Sequence, residues 1–249
     1  MADIEKYMPG IMKTIDSGLN QKEDTDTHKR LVPALIRKGI DSINLSMFNE
    51  DTKKKLLNAA GTELFKKGRF QEAVKAFSAT ANKEKLIEVG DYYVNINMYD
   101  PAIDTYKIAD AKEKLIKLGN RCLSEGHLPE AIKAFLFAEE TQKLKDVGDE
   151  CIKKQRLDYA IEIFSKINEK GKLVEIGNIC FKSNELMDAA KAYKLAGDNN
   201  SLNKVGDKLM EEDSLEEALA VYKMADNKAM VQFIEENFAR DLHGRLIKR

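Results

Sequence analysis

Three cysteines and three histidines are the residues of this chain with the chemistry to hold a metal, exchange electrons or attack a substrate. Cys122, Cys151 and Cys180 invite a metal-binding or redox reading, and each stands 29 residues after the one before. His28, His127 and His243 fall in a polar stretch, a turn and a tail, with no nucleophile or carboxylate at a recurring spacing beside them. Each reads as a surface histidine. No G-x-x-x-x-G-K-[ST] or G-x-G-x-x-G follows a strand, so no phosphate cradle is predicted. The residues offer no catalytic constellation and no site for a cofactor or a metal, and the expectation is a protein that is not an enzyme.

The interval between the cysteines is the key to the rest. Gly61, Gly90, Gly119, Gly148, Gly177 and Gly206 keep the same 29-residue step. A fixed period of this size is the mark of a solenoid, in which each supersecondary unit buries its apolar face against its neighbours. Aligned on the glycines, the units run 56–84, 85–113, 114–142, 143–171, 172–200 and 201–229. Their columns are numbered 1 to 29 below, with the glycine in column 6.

Columns 2, 5 and 9 are apolar in every unit, as in Leu86, Val89 and Tyr93, and so place one face of a helix toward a core. This helix A carries the glycine on that face, where it costs about 1 kcal/mol against alanine. Close approach of the partner helix is the expected compensation. Column 13 reads Gly68, Asn97, Gly126, Gln155, Asn184 and Asp213, mostly residues that tolerate a left-handed backbone and end a helix. Acids and Pro101 then mark the start of a helix B. Helix B bears alanine in column 18, such as Ala102. Four residues later column 22 reads Phe77, Tyr106, Phe135, Phe164, Tyr193 and Tyr222, and these rings are expected to fill the gap to the next unit.

The register also explains the thiols. All three cysteines occupy column 9 of consecutive units, so each belongs to its own core layer. Packed helices lie roughly 8–10 Å apart, whereas a disulfide needs Cα atoms within about 7 Å. Small buried hydrophobe is the expected role.

Forty-one basic against 42 acidic residues give a net charge of −1, which supplies no long-range pull toward nucleic acid or anionic lipid. No apolar run approaches the roughly 18 residues that span a bilayer, and the start, MADIEKYMPG, lacks the pattern of a secretory signal. A cytoplasmic protein is expected.

Leu86-x2-Val89-Gly90-x2-Tyr93, followed by Ala102-x3-Tyr106, has the spacing of the tetratricopeptide repeat, and all six units match in register. The chain resembles that family over residues 56–229, with Leu in place of the opening Trp and units about five residues shorter than 34. Such compact units are also similar to the helical-hairpin arrays of clathrin-type and coatomer-type coat proteins and intraflagellar-transport subunits. The resemblance implies an all-α, right-handed α-solenoid of helix-turn-helix repeats, with helix A lining its inner side.

Toward the ends the pattern thins. Residues 1–26 hold an amphipathic stripe, Ile4, Tyr7, Met8, Ile11, Met12 and Ile15, and then a polar linker from Asn20 to Thr27. The stripe reads either as a cap on the stack or as a separate docking helix. Residues 27–55 read as a degenerate first hairpin and 230–249 as a capping helix with a basic tail, Glu235 replacing the glycine.

If helix A lines the inner side, its non-core face is where a partner would lie. Column 7 there reads Thr62, Asp91, Asn120, Asp149, Asn178 and Asp207, a ladder of short polar groups able to bond a peptide backbone or hold basic side chains. Beside it column 3, with Ile87, Ile116, Lys145 and Val174, is the expected floor of a groove. Column 10 (Phe65, Val94, Leu123, Ile152, Phe181, Met210) reads as contact between successive A helices. Plain solvation remains the competing reading of the ladder. The expected function is a non-catalytic scaffold or adaptor that binds a peptide or helix of a protein partner. The alternative is a structural subunit that builds a coat-like or transport-type assembly by self-association.

Overall fold

A computed structural model describes residues 21–42 and 44–238. The described residues form fourteen α-helices and one 3-10 turn, with no strand among them. They fall into two compact units, Met1–Ala138 and Glu139–Arg249. The amphipathic stripe of residues 4–15 and the basic tail after 238 lie outside the described residues.

In the first unit, α1 (Gln21–Lys38) precedes three hairpins: α2 (Glu50–Lys66) with α3 (Phe70–Ala79), α4 (Lys83–Asn95) with α5 (Tyr99–Ile108), and α6 (Lys112–Glu125) with α7 (Leu128–Ala138). In the second, α8 (Thr141–Lys153) pairs with α9 (Leu157–Lys166), α10 (Lys170–Lys182) with α11 (Leu186–Ala196), and α12 (Asn199–Glu211) with α13 (Leu215–Met224). The single helix α14 (Lys228–Asn237) follows. Within each unit every B helix also packs on the A helix that follows it. The stretch from Gln21 to Thr27, expected to be a linker, is the start of α1. Between Lys38 and Glu50 the described residues hold only the 3-10 turn Ile40–Ser42, so among the described residues α1 is the one α-helix before the first regular hairpin.

The helices end where the columns say they should. All six column-13 residues have positive φ, from 56° in Asp213 to 86° in Gly126. The next residue's N–H closes back on the column-9 carbonyl, as in His127 N to Cys122 O at 2.8 Å and Arg156 N to Cys151 O at 2.8 Å. This six-residue closure satisfies a helix-end carbonyl. A second left-handed column, number 26, closes each B helix through Ala81, Asp110, Glu139, Asn168, Gly197 and Asp226.

The core of each hairpin is one repeated contact. A Cβ built on each column-6 glycine would stand 2.4–2.7 Å from the column-22 ring of the same hairpin: Phe77 over Gly61, Tyr106 over Gly90, Phe135 over Gly119, Phe164 over Gly148, Tyr193 over Gly177 and Tyr222 over Gly206. The close approach expected at glycine is thus made by the ring rather than by the partner backbone. The ring seals its own hairpin instead of the gap to the next, because only a residue without a Cβ leaves a slot deep enough to take it. Columns 2, 5 and 9 are buried in all six hairpins, down to 0% exposure at Leu64 and Leu202.

Candidate binding faces of the A helices

Column 7 follows the glycine, so its side chain starts at the rim of the ring's slot and meets the ring's outer edge. Where the ring is tyrosine, the hydroxyl donates to it. Tyr106 Oη donates to Asp91 Oδ1 at 2.6 Å, Tyr193 Oη to Asn178 Oδ1 at 2.8 Å, and Tyr222 Oη to Asp207 Oδ1 at 2.7 Å. Burial, reinforced by the carboxylate that accepts the proton's hydrogen bond, pushes the Tyr106 and Tyr222 phenols well above the ordinary range. Burial also raises Tyr193, followed by the charge of Asp198. Three rungs of the ladder are therefore built into the hairpins that carry them.

Two rungs also reach the next A helix. Lys114 Nζ lies 2.7 Å from Asp91 Oδ1 and 2.8 Å from Oδ2, and Lys172 Nζ lies 2.9 Å from Asp149 Oδ1. The Lys172 ammonium is held above its usual range by Asp149 first and Glu175 second. At Thr62, Oγ1 donates to the carbonyl of Asn58 one turn back at 2.9 Å. Asp91 and Asp149 are half-buried, while Asn120, Asn178 and Asp207 are exposed. Asp91, Asn178 and Asp207 are oriented by tyrosine hydroxyls of their own hairpins, and the charges of Asp91 and Asp149 are matched by lysines within the same unit.

Column 3 has a structural duty that spacing alone did not suggest. Asn58 Oδ1 accepts from Asn82 Nδ2 and from Thr80 Oγ1, both at 2.9 Å, and Asn203 Oδ1 accepts from Asn227 Nδ2 at 2.7 Å. Lys145 Nζ pairs with Glu169 at 2.6 Å. Asn82, Glu169 and Asn227 are the residues that open the following A helix, and the two asparagines also cap it, accepting from Lys85 N and Met230 N. A polar side chain in column 3 thus ties one hairpin to the start of the next. Ile87, Ile116 and Val174, in the same column, are half-buried. The sign of this role was in the sequence, since a polar column-3 residue faces a polar residue 24 places later in these three cases.

Column 10 is half-buried in five hairpins, and Phe65 meets Tyr92 of the next A helix edge-to-face at 5.6 Å. Leu123 is 43% exposed.

Cys122, Cys151 and Cys180 are buried free thiols, and desolvation pushes Cys122 and Cys180 up to about 11. That suits an inert core residue, because only the thiolate attacks or ligates. His127 is exposed, its ring edge-to-face with Tyr99 at 5.2 Å. Among the described residues no group of three His, Cys, Asp or Glu is placed to hold a metal ion, and no helix is long and apolar enough to cross a membrane. No protein-family model matches the chain, and no curated protein matches it.

Proposed function

We propose that the chain is a non-catalytic scaffold of tetratricopeptide-like hairpins, working in the cytoplasm, that binds an extended peptide or a helix of a protein partner along its A helices. The observation that supports this most directly is the orientation of Asn178 and Asp207. Both are exposed, and each is held by a buried tyrosine through one oxygen. That fixes the side chain and turns the Asn178 amide group and the second Asp207 oxygen outward, one a donor and the other an acceptor. Groups held in place before binding lose little freedom when a ligand arrives, and a peptide backbone offers the matching acceptor and donor.

Matched charge at Asp91 and Asp149 narrows the ligand. With Lys114 and Lys172 bridging those rungs, the A helices of each unit offer polar contacts rather than an acidic trough, which suits a neutral or mildly basic peptide. The test is affinity selection of displayed peptides on the full chain, followed by binding to the doubly substituted Asn178→Asp, Asp207→Asn protein. Both changes keep the oxygen that accepts from tyrosine, so the hairpins stay intact. Loss of binding, with amide protection mapped to α10 and α12, is the expected result. Unchanged affinity, or protection confined to B helices, sinks the reading. Concentration-dependent self-association in light scattering, with no peptide retained, favours the assembly subunit instead.

A further inference from the structure

Repetition gives this protein an internal control: the same slot occurs at successive hairpins, filled by different residues. Between α4 and α6 the slot is polar and closed. Arg121 lies over the Tyr99 ring with its guanidinium carbon 5.4 Å from the centroid, donates to Glu125 Oε1 at 2.8 Å and reaches Asn97 Oδ1 at 3.3 Å. Tyr99 Oη also donates to Glu125, and His127 packs against the Tyr99 ring. Arg121, Glu125, the Tyr99 hydroxyl and the Asn97 side-chain oxygen are thus all partnered within the chain.

One hairpin earlier each of these positions turns apolar or small. Phe70 replaces Tyr99, Tyr92 replaces Arg121, Ile96 replaces Glu125, Met98 replaces His127 and Gly68 replaces Asn97. Tyr92 lies over Phe70 with centroids 4.6 Å apart, and Phe65 meets both rings edge-on at 5.6 Å. The cluster is not buried in compensation. Tyr92 is 38% exposed, Ile96 42% and Met98 46%. At the positions of Tyr92 and Ile96, four of the other five hairpins carry opposite charges one helical turn apart: Glu63/Lys67, Arg121/Glu125, Glu150/Lys154 and Lys208/Glu212. The fold tolerates a solvated ion pair there, so nothing in the packing of the hairpin demands the apolar set.

The charge beside this patch is basic. Glu63 is ion-paired to Lys66 at 2.9 Å and is also acted on by Lys67, so one carboxylate faces two ammonium groups at the end of α2. Arg69 is matched by Glu72, so the end of α2 keeps a surplus positive charge beside the exposed rings. An aromatic floor, two exposed apolar side chains and a surplus of positive charge call for a ligand that supplies an apolar anchor and an acidic group.

We infer that Phe70, Tyr92, Ile96 and Met98 form a second docking site, on the first unit and apart from the column-7 row. Its occupant is a short segment of a partner protein in which an aliphatic or aromatic anchor stands beside an acidic residue. Tyrosine suits such a centre because its large ring is ordered at little conformational cost.

The test uses the full chain and a phage-displayed library of random peptides, with counter-selection on a Tyr92→Arg, Ile96→Glu double variant. That variant transplants the pair the next hairpin already carries, so it folds, and its circular dichroism melt verifies this. Expected are clones with an apolar residue flanked by Asp or Glu. A synthetic peptide from them should bind about tenfold or more weakly to the double variant, and several-fold more weakly to Lys67→Glu. Clones that bind both proteins equally, clones with basic flanks, or no clones at all overturn the inference. So does self-association that the double variant abolishes, which assigns the patch to a second copy of the chain. Peptide binding that appears only after deletion of residues 1–20 overturns it as well, and assigns the patch to the chain's own N-terminal segment.

Discussion

Tyr106 lies directly on Gly90: a Cβ there would stand 2.4 Å from the ring's Cε1, while the ring's hydroxyl donates at 2.6 Å to the neighbouring Asp91. One aromatic side chain therefore closes the hairpin, fills the glycine slot and orients a surface carboxylate.

Gly90→Ala should destabilise the first unit by about 2–3 kcal/mol despite the roughly 1 kcal/mol gained in helix propensity. The ring is buried and tethered through its hydroxyl, so it has nowhere to retreat. Gly171→Ala is the control, because a Cβ at that position in α10 meets nothing within 4 Å. It should stabilise by about 0.5–1 kcal/mol, and urea melts of the two variants should shift in opposite directions.

Alkaline pH should unfold the protein by a defined route. Burial raises Tyr106 and Tyr222, with Asp91 and Asp207 adding to it, so in the folded state these phenols hold their protons beyond the ordinary range. A raised pKa contributes stability that is whole below the unfolded value near 10 and is lost as pH climbs above it. Phe substitution at both positions should lower stability at neutral pH by about 0.5–1.5 kcal/mol per hydroxyl. It should also flatten the decline above about pH 10. Denaturant midpoints across that range provide the check.

The thiols titrate by the same rule at lower pH. Cys122 and Cys180 rise from an ordinary value of 9.0 to about 11 on burial, so their contribution is complete below 9 and disappears toward 11. At pH 8 the native protein should resist alkylation by iodoacetamide over hours, while in urea all three cysteines react within minutes. Fast native labelling would contradict the buried assignment.

Ala81 sits at φ 52°, a region that costs an ordinary L-residue about 1–2 kcal/mol. Ala81→Asn should stabilise by several tenths of a kcal/mol up to about 1, since asparagine tolerates this backbone, and thermal melting reads it directly. Ala81→Gly should gain less, part of the relief being offset by the added freedom of the unfolded chain.

Much of the hairpin was legible in the chain because its determinants are local. Column 13 announced the end of helix A through Gly68, Asn97 and Gly126, and columns 2, 5 and 9 announced the buried face. The matching end of helix B escaped notice, since Ala81 and Glu139 are poor left-handed residues and mask the Asp110, Asn168, Gly197 and Asp226 beside them in column. The polar face was harder. Asp91, Asn178 and Asp207 look like solvent-facing rungs until the partner helix brings Tyr106, Tyr193 and Tyr222 alongside. The offset is fixed at 15 residues, yet its meaning needs the crossing of two helices. The exposed set around Tyr92 was hidden for a different reason: with Phe65 its members come from α2, the start of α3, α4 and the turn after α4, so no single periodicity collects them.

Each ring finds its glycine only sixteen places back along the chain, as Tyr106 does Gly90. Contacts that close over so short a loop lose little chain entropy and form quickly. A polypeptide built this way can acquire structure as it leaves the ribosome, one hairpin sealed before the next is made, without waiting for its distant end.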